Sequence, residues 1–404
     1  MGVSRVGRVR LALTITSAIT ALGLSACGEA AAPVCATCSG PDAGAQPLHG
    51  RLGAGLSLAQ AGNVTWLAAF DRDFGALLVG EVRSDGSWSP IRVDAGGPNA
   101  RGLSPALAVG PGGEPTVLYG AADGAVRLAR RANGAWSHDE VRPANGIPYT
   151  HGSVAVDAAG GVHAAWSLPG GAGFTVASWA SGGCRAPDGD TVREVRGDDM
   201  AAIGRPSDHF GGTVDLAISP SEAVVVAYHD RARGNLMLAT CAHTALDLRV
   251  IDGEGERDTG DVGEWGSLSV DQESGRLGIA YHDRGRGLLR FVTSEQGEPL
   301  SLVIDDGSAD GRAFARHVGQ LSALAYEDDA PRVAYLDASR AEVRLASVDA
   351  FGTWRIATVG PFELGAPATL AVVALPGDRT RLASVRANGS LRFWDCEGMT
   401  CVAR

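Results

Sequence analysis

The chain has 404 residues, 45% of them hydrophobic, with 56 glycines and a formal net charge of −11. All 35 of its basic residues are arginine, and so acidic a chain excludes nucleic acid or anionic lipid headgroups as partners held by charge. Reading from the N-terminus, Arg5, Arg8 and Arg10 precede an apolar run over residues 11–22. A run of about a dozen residues falls short of the ~20 a spanning helix needs and fits the apolar region of an export signal.

That segment closes on Leu24, Ser25, Ala26 and Cys27, and it resembles the lipobox of bacterial lipoproteins. The resemblance implies cleavage before Cys27 and acylation of its thiol and of the new amine. Residues 1–26 are then the signal peptide, and the only membrane contact is the N-terminal lipid, several acyl chains giving a hold that one alone does not. Gly28 replaces the aspartate that favours inner-membrane retention in this family, so the implied address is the cell envelope, at the outer rather than the inner membrane. Residues 27–48 are rich in Ala, Gly and Pro without periodicity and read as a disordered tether. Within it Cys35 and Cys38 have CxxC spacing. With no strand–helix context and no second pair, a local disulfide is the reading preferred to redox chemistry or half a zinc site.

From residue 49 the pattern is strand after strand, with no sustained helical periodicity. Segments 65–82, 116–131, 163–179, 224–240, 276–294, 332–347 and 380–395 share one design. In the clearest copies an apolar and aromatic run ends in an acid, a polar turn follows, and a second alternating run begins. Aligned on one position, the series reads Ala69, Tyr119, Trp166, Tyr228, Tyr281, Tyr335 and Ser384. A period of about 50 residues with several strands per repeat predicts radially arranged sheets. The expectation is an all-β, seven-bladed β-propeller over 49–404 with four-stranded antiparallel blades. The blades are placed at 49–95, 99–143, 149–197, 205–253, 258–306, 311–360 and 361–404, with six blades the alternative if one weak repeat is misread. In the fifth, strands are expected at 267–271, 276–283, 287–294 and 299–305.

Second strands are nearly continuously apolar, as expected where neighbouring blades cover both faces. Asp71, Asp230, Asp283 and Asp337 close them and read as caps of the following turn, with an acidic ring for cations as the other reading. His229 and His282 occupy equivalent positions and read as structural. Beyond Cys27 the remaining cysteines are even in number, consistent with an oxidising compartment. Cys396 and Cys401 flank a tight turn between the last two strands and are expected to pair. Cys184 and Cys241, each placed near the end of a third strand in adjacent repeats, form the other expected bridge.

Segments 84–88, 132–136 and 351–354 resemble the Asp-box turn of sialidase-type propellers, though none has the full Ser-x-Asp-x-Gly-x-Thr-Trp spacing. In that motif an acid caps backbone amides and a tryptophan packs between blades. More broadly, the chain is similar to bacterial secreted or lipid-anchored propellers with G-x-S-L-x-x-D and V-A-Y-x-D repeats. The likeness implies the fold and leaves function to the site.

In a propeller the blade-to-blade connections and the turns from second to third strand share one face, at the mouth of the central channel. Here the connections bring an aromatic or His beside glycine: His151, His209, Trp265 and His317. The rim candidates are Trp265 with Glu264, Arg316 with His317, Arg205 with Asp208 and His209, and His151. Packing of inner strands is the other role open to a repeated residue. Trp265 offers a flat apolar face for a sugar or aromatic ligand.

The same loops hold material for a sialidase-like glycoside hydrolase or lyase, which needs two carboxylates and an arginine clamp. Against that alternative, the Arg-Ile-Pro tripeptide, a Tyr/Glu nucleophile pair and a G-x-S-x-G elbow are missing from the sequence. No HExxH or close His pair occurs, so neither a metal nor a cofactor is expected. The sequence therefore reads as a monomeric, lipid-anchored, non-catalytic binding or scaffold propeller. Its channel face would be presented to a glycan, peptide or protein ligand.

Overall fold

The computed structural model describes residues 49–404 apart from 97–99, 148, 181–182, 189, 197–209, 254–259, 295–298, 309–316, 328 and 364. The expected signal peptide and tether, with Cys27, Cys35 and Cys38, lie outside the described residues, as do Arg205, Asp208, His209 and Arg316.

Seven four-stranded antiparallel sheets follow one another along the described chain, each with its strands in sequence order from inner to outer edge. They span 52–95, 101–142, 152–196, 210–252, 262–305, 318–361 and 370–403. The fold is a seven-bladed β-propeller. The one helical piece among the described residues is a short 3₁₀ turn, Pro169–Gly171. Inner strands touch their neighbours in order around the ring, and the seventh touches the first. Each blade is one continuous segment, so the ring closes by packing rather than by a shared sheet. Leu52 and Leu67 of blade 1 pack with Ala383 and Phe393 of blade 7. Leu52 N donates to Gly389 O at 2.9 Å, and Arg381 Nη1 to Arg83 O at 3.0 Å.

The second strands Val224–Asp230 and Leu277–Asp283 are buried at every residue, because each blade lies face to face with two others. The core therefore lies between blades: Leu236 of blade 4, for example, packs with Val262, Ile279 and Tyr281 of blade 5. In blade 5 the strands are Val262–Val270, Leu277–Asp283, Leu288–Ser294 and Leu300–Asp305. The inner strand begins well before the expected residue 267. Gly263 and Trp265 have φ of 97° and 57°, and the pairing register shifts around them. These bulges carry the strand through a segment whose broken alternation reads as loop. Glycine is required at 263, where a Cβ would meet Leu236 Cα at 2.9 Å.

The acids closing the second strands are fully buried and cap the turns. Asp71 Oδ1 accepts from Asp73 N and Phe74 N, both at 3.1 Å. Asp230, Asp283 and Asp337 accept from Ala232 N, Arg286 N and Arg340 N. Arginines take up remaining capacity, as in Arg340–Asp337 at 2.8 Å, so these acids form turn caps and not an open ring for cations.

Two disulfides are present among the described residues: Cys184–Cys241, joining blades 3 and 4, and Cys396–Cys401, tying the last strand to its neighbour. Cys241 lies in a third strand, as expected. Cys184 instead lies beyond the third strand Gly173–Ser178, where Cys184 N donates to Ser178 Oγ at 3.0 Å and the chain bridges to His243. Two of the Asp-box-like turns carry the acid cap: Asp85 accepts from Ser87 N, and Asp349 from Phe351 N and Thr353 N. Trp354 then packs edge-on against Phe291 of the preceding blade, centroids 5.1 Å apart.

Candidate functional site: the channel mouth

Strand register fixes which residues of different blades are equivalent. Ser267 pairs with Ala280, Ser153 with Ala165, and Asp215 with Ala227, one residue before Tyr281, Trp166 and Tyr228 respectively. Two residues upstream, the chain presents a ring of side chains at the channel mouth: Ser104, His151, Thr213, Trp265, Leu321 and Thr369, with Gly55 completing it. Trp265 is by far the largest member. Trp265 and His151 thus share one repeat position. His317 does not: it directly precedes Val318, as Asp261 precedes Val262, since Val318 and Val262 both pair with the closing acid of the second strand. The bulges shift the motif by several residues, which an alignment on the His/aromatic–Gly pair cannot detect. His317 is exposed and accepts Ala338 N through its carbonyl.

Below this ring the channel encloses about 520 Å³ and is lined by one charged side chain among the described residues, Asp215. Its Oδ1 accepts from Ser153 Oγ at 2.7 Å and Leu216 N at 2.9 Å. Its Oδ2 accepts from Leu268 N at 2.8 Å and Ser267 Oγ at 3.2 Å. Burial nonetheless pushes the carboxyl above its ordinary range, the four donors opposing the shift. With its acceptor positions occupied, Asp215 binds the inner strands of blades 3, 4 and 5 together rather than an incoming group.

Beside the mouth, over the same blades, opens a bay of about 650 Å³, within the ~300–1,000 Å³ of small-molecule sites. Thr150, His151, Thr213 and Trp265 line both spaces, so bay and channel are continuous. Among the described residues, the ionisable groups lining the bay are Arg142, His151, His229, Arg231 and Glu264. Burial pushes both imidazoles below their ordinary range. His229 Nε2 lies 2.9 Å from Asp261 Oδ1, and Arg284 reaches the other Asp261 oxygen at 3.3 Å. Arg142 donates to Gly124 O at 2.6 Å. The side chains of Glu264 and Arg231 make no hydrogen bond or ion pair among the described residues.

Of the sequence candidates, the structure brings Trp265, Glu264 and His151 into one bay, and it places His317 elsewhere. Arg142, His229 and Arg231 were missed. His229 carries a repeat signature that reads as structural, and Arg231 directly follows the turn-capping Asp230, where charge is commonplace. The long separation between Arg142 and Trp265 gives no local signal at all.

A Ser–His–Asp chain also occurs in blade 3: His163 Nδ1 lies 3.0 Å from Ser178 Oγ, and Nε2 lies 3.2 Å from Asp157 Oδ2. Ser178 is fully buried and accepts Cys184 N, so no substrate reaches the hydroxyl. The chain pins a hairpin to the disulfide segment.

No family model matches this sequence, and no curated relative matches it. Among solved structures, the chain is similar to the BP39L lectin from Burkholderia pseudomallei, at 16% identity and TM-score 0.59 over 87% of this chain and 99% of the lectin. It is also similar to a puromycin hydrolase, at 14% identity and TM-score 0.51 over 89% of this chain and 55% of that one. A puromycin-hydrolyzing peptidase of Mycobacterium tuberculosis matches at 12% identity and TM-score 0.51, over 88% of this chain and 53% of the peptidase. This chain spans about half the length of both hydrolases. At these identities the likeness establishes the propeller fold alone.

Proposed function

We propose that this chain is a non-catalytic binding propeller of the cell envelope, held at the outer membrane by lipid on Cys27, and that its ligand seats in the bay beside Trp265. One observation carries the reading. Trp265, Glu264 and Arg231 meet in a single bay, and neither Trp265 nor Glu264 repeats from blade to blade, whereas Arg231 recurs as Arg72 and Arg284 after the closing acid. The position of Trp265 is filled by small or aliphatic side chains in most other blades. Glu264 pairs in register with His282, and its equivalent one blade later, pairing with Leu336, is the neutral Gln320. Side chains that the fold does not need, gathered at a concave mouth, are the material of recognition. A tryptophan face beside a carboxylate and a guanidinium suits a glycan, a peptide or the exposed end of a protein. The shared fold with a lectin is in keeping with such a role.

The alternative, a sialidase-like hydrolase or lyase, needs two carboxylates flanking the scissile bond. Among the described residues Glu264 is the one carboxylate lining the bay; Asp208, a second acid among the rim candidates, lies outside them. The test is capture on glycan and peptide arrays by the exported protein, followed by mass spectrometry of what is released. Saturable capture with the ligand recovered intact, weakened by Glu264→Gln, supports the binder. Recovery of cleaved ligand that Glu264→Gln abolishes establishes the enzyme instead.

A further inference from the structure

We propose that the channel-mouth bay takes a zwitterionic ligand, an unblocked amino acid or short peptide, with its carboxylate at Arg231 and its ammonium group between Glu264 and the Trp265 ring. This rests on the reading of the bay as a binding site and goes further by naming the ligand class.

The argument is one of unmatched charge. Several of the arginines in the turns after the second strands are matched, although Arg72 and Arg386 form no ion pair among the described residues. Arg233 pairs with Asp230 at 3.1 Å, Arg340 with Asp337 at 2.8 Å, and Arg284 with Asp261 at 3.3 Å. Arg284 is the equivalent of Arg231 one blade later, each directly following the acid that closes the strand. Arg231 has no such partner among the described residues, and neither has Glu264. Both line one bay without forming an ion pair with each other.

The other basic groups do not alter this balance. Arg142 already donates to a carbonyl, and burial favours the neutral form of both His151 and His229. Among the described residues, what the bay leaves unsatisfied is therefore one positive and one negative group. A purely anionic ligand meets Glu264 and a purely cationic one meets Arg231, whereas a ligand with both charges satisfies both. Glu264 is adjacent in sequence to Trp265 and both line the bay, so the ring offers its face to a cation held there. The Thr213 hydroxyl and the neutral imidazole of His151 remain for the ligand's amide groups, beside Thr150, whose hydroxyl already bonds Ser167 Oγ at 3.0 Å.

The test is equilibrium capture on the full-length exported protein, read by mass spectrometry. The probes are a pool of unblocked tripeptides, the same pool N-acetylated, the same pool C-amidated, and neutral and uronic-acid trisaccharides. The expected result is capture of the free tripeptides, with each block weakening it at least tenfold. Glu264→Gln should remove the discrimination against N-acetylation alone, and Arg231→Gln that against amidation alone.

Two results overturn the ligand class: equal capture of blocked and free peptides, or capture of no free peptide. If a trisaccharide is captured instead and Trp265→Ala abolishes it, the bay stands and only the zwitterion fails. If free tripeptides are captured but Glu264→Gln, Arg231→Gln and Trp265→Ala all leave capture unchanged, the bay itself is wrong.

Discussion

The Tyr335 hydroxyl of blade 6 donates to Asp305 Oδ2 of blade 5 at 2.6 Å, and Arg344 Nη1 donates to the same oxygen at 3.0 Å. The arrangement recurs one seam earlier with Tyr281, Asp252 and Arg290, and between blades 1 and 2 with Tyr119 and Asp94. Each acid closes the outer strand of one blade, and each tyrosine lies in the second strand of the next. These bonds fix a seam that apolar packing alone leaves free to slide.

Tyr335→Phe should therefore destabilise the propeller by about 1.5–3 kcal/mol, the range for a hydrogen bond to a charged acceptor. Asp305→Ala should cost more, toward ~3–5 kcal/mol, because it leaves the buried Arg344 with one carboxylate fewer. Urea unfolding of both variants measures this; losses below about 0.5 kcal/mol in both would show that packing alone holds the seam.

Burial, reinforced by the neighbouring acids, holds the Tyr119, Tyr281 and Tyr335 phenols above their ordinary range. In the unfolded chain they ionise near pH 10, while the folded state keeps its protons. The unfolded state then binds fewer protons, so stability is unaffected below that pH and falls as pH rises above it. The slope is about 1.4 kcal/mol per pH unit for each such tyrosine. A thermal-melt series from about pH 8 to 11.5 should show a flatter alkaline decline for the Tyr119→Phe, Tyr281→Phe, Tyr335→Phe triple variant than for wild type. Parallel declines would contradict the assignment.

The two disulfides should differ in weight. Cys184–Cys241 closes a separation of 57 residues and should contribute between the ~3 kcal/mol of a 15-residue loop and the ~4.7 of a 100-residue loop. Cys396–Cys401 closes a separation of 5, and its loss should do little beyond fraying the final strand Thr400–Ala403. Denaturation of the two double-alanine variants should rank them in that order; the reverse order refutes it.

Anchoring has its own test. If Cys27 carries the lipid, Cys27→Ser moves the protein from the detergent phase to the aqueous phase in cloud-point partitioning and abolishes labelling by palmitate. Unchanged partitioning rules out the lipoprotein reading.

The fold was legible because one strand repeats. The run ending at Asp230, Asp283 and Asp337 is buried on both faces, and its period gave the blade count. The inter-blade bonds were not read, although a signal exists: an Asp stands 25, 29 and 30 residues before Tyr119, Tyr281 and Tyr335, at the end of each preceding outer strand. A contact between repeats is invisible when each repeat is read within its own bounds. The mouth was legible in part. Trp265 and Glu264 stand out because they do not repeat, but bulged inner strands separate His317 from His151 in register, and Arg142 and Arg231 reach the bay from other blades.

The central claim is that the bay beside Trp265 is where this protein meets its ligand, and Trp265→Ala tests it most directly. Capture on glycan and peptide arrays and the thermal midpoint should be measured on the same preparation. The account predicts at least a tenfold loss of capture with a midpoint within about 2 °C of wild type, about 1.5 kcal/mol for a domain of this size. Unchanged capture, or a collapse of the midpoint that makes Trp265 a packing residue, would contradict it.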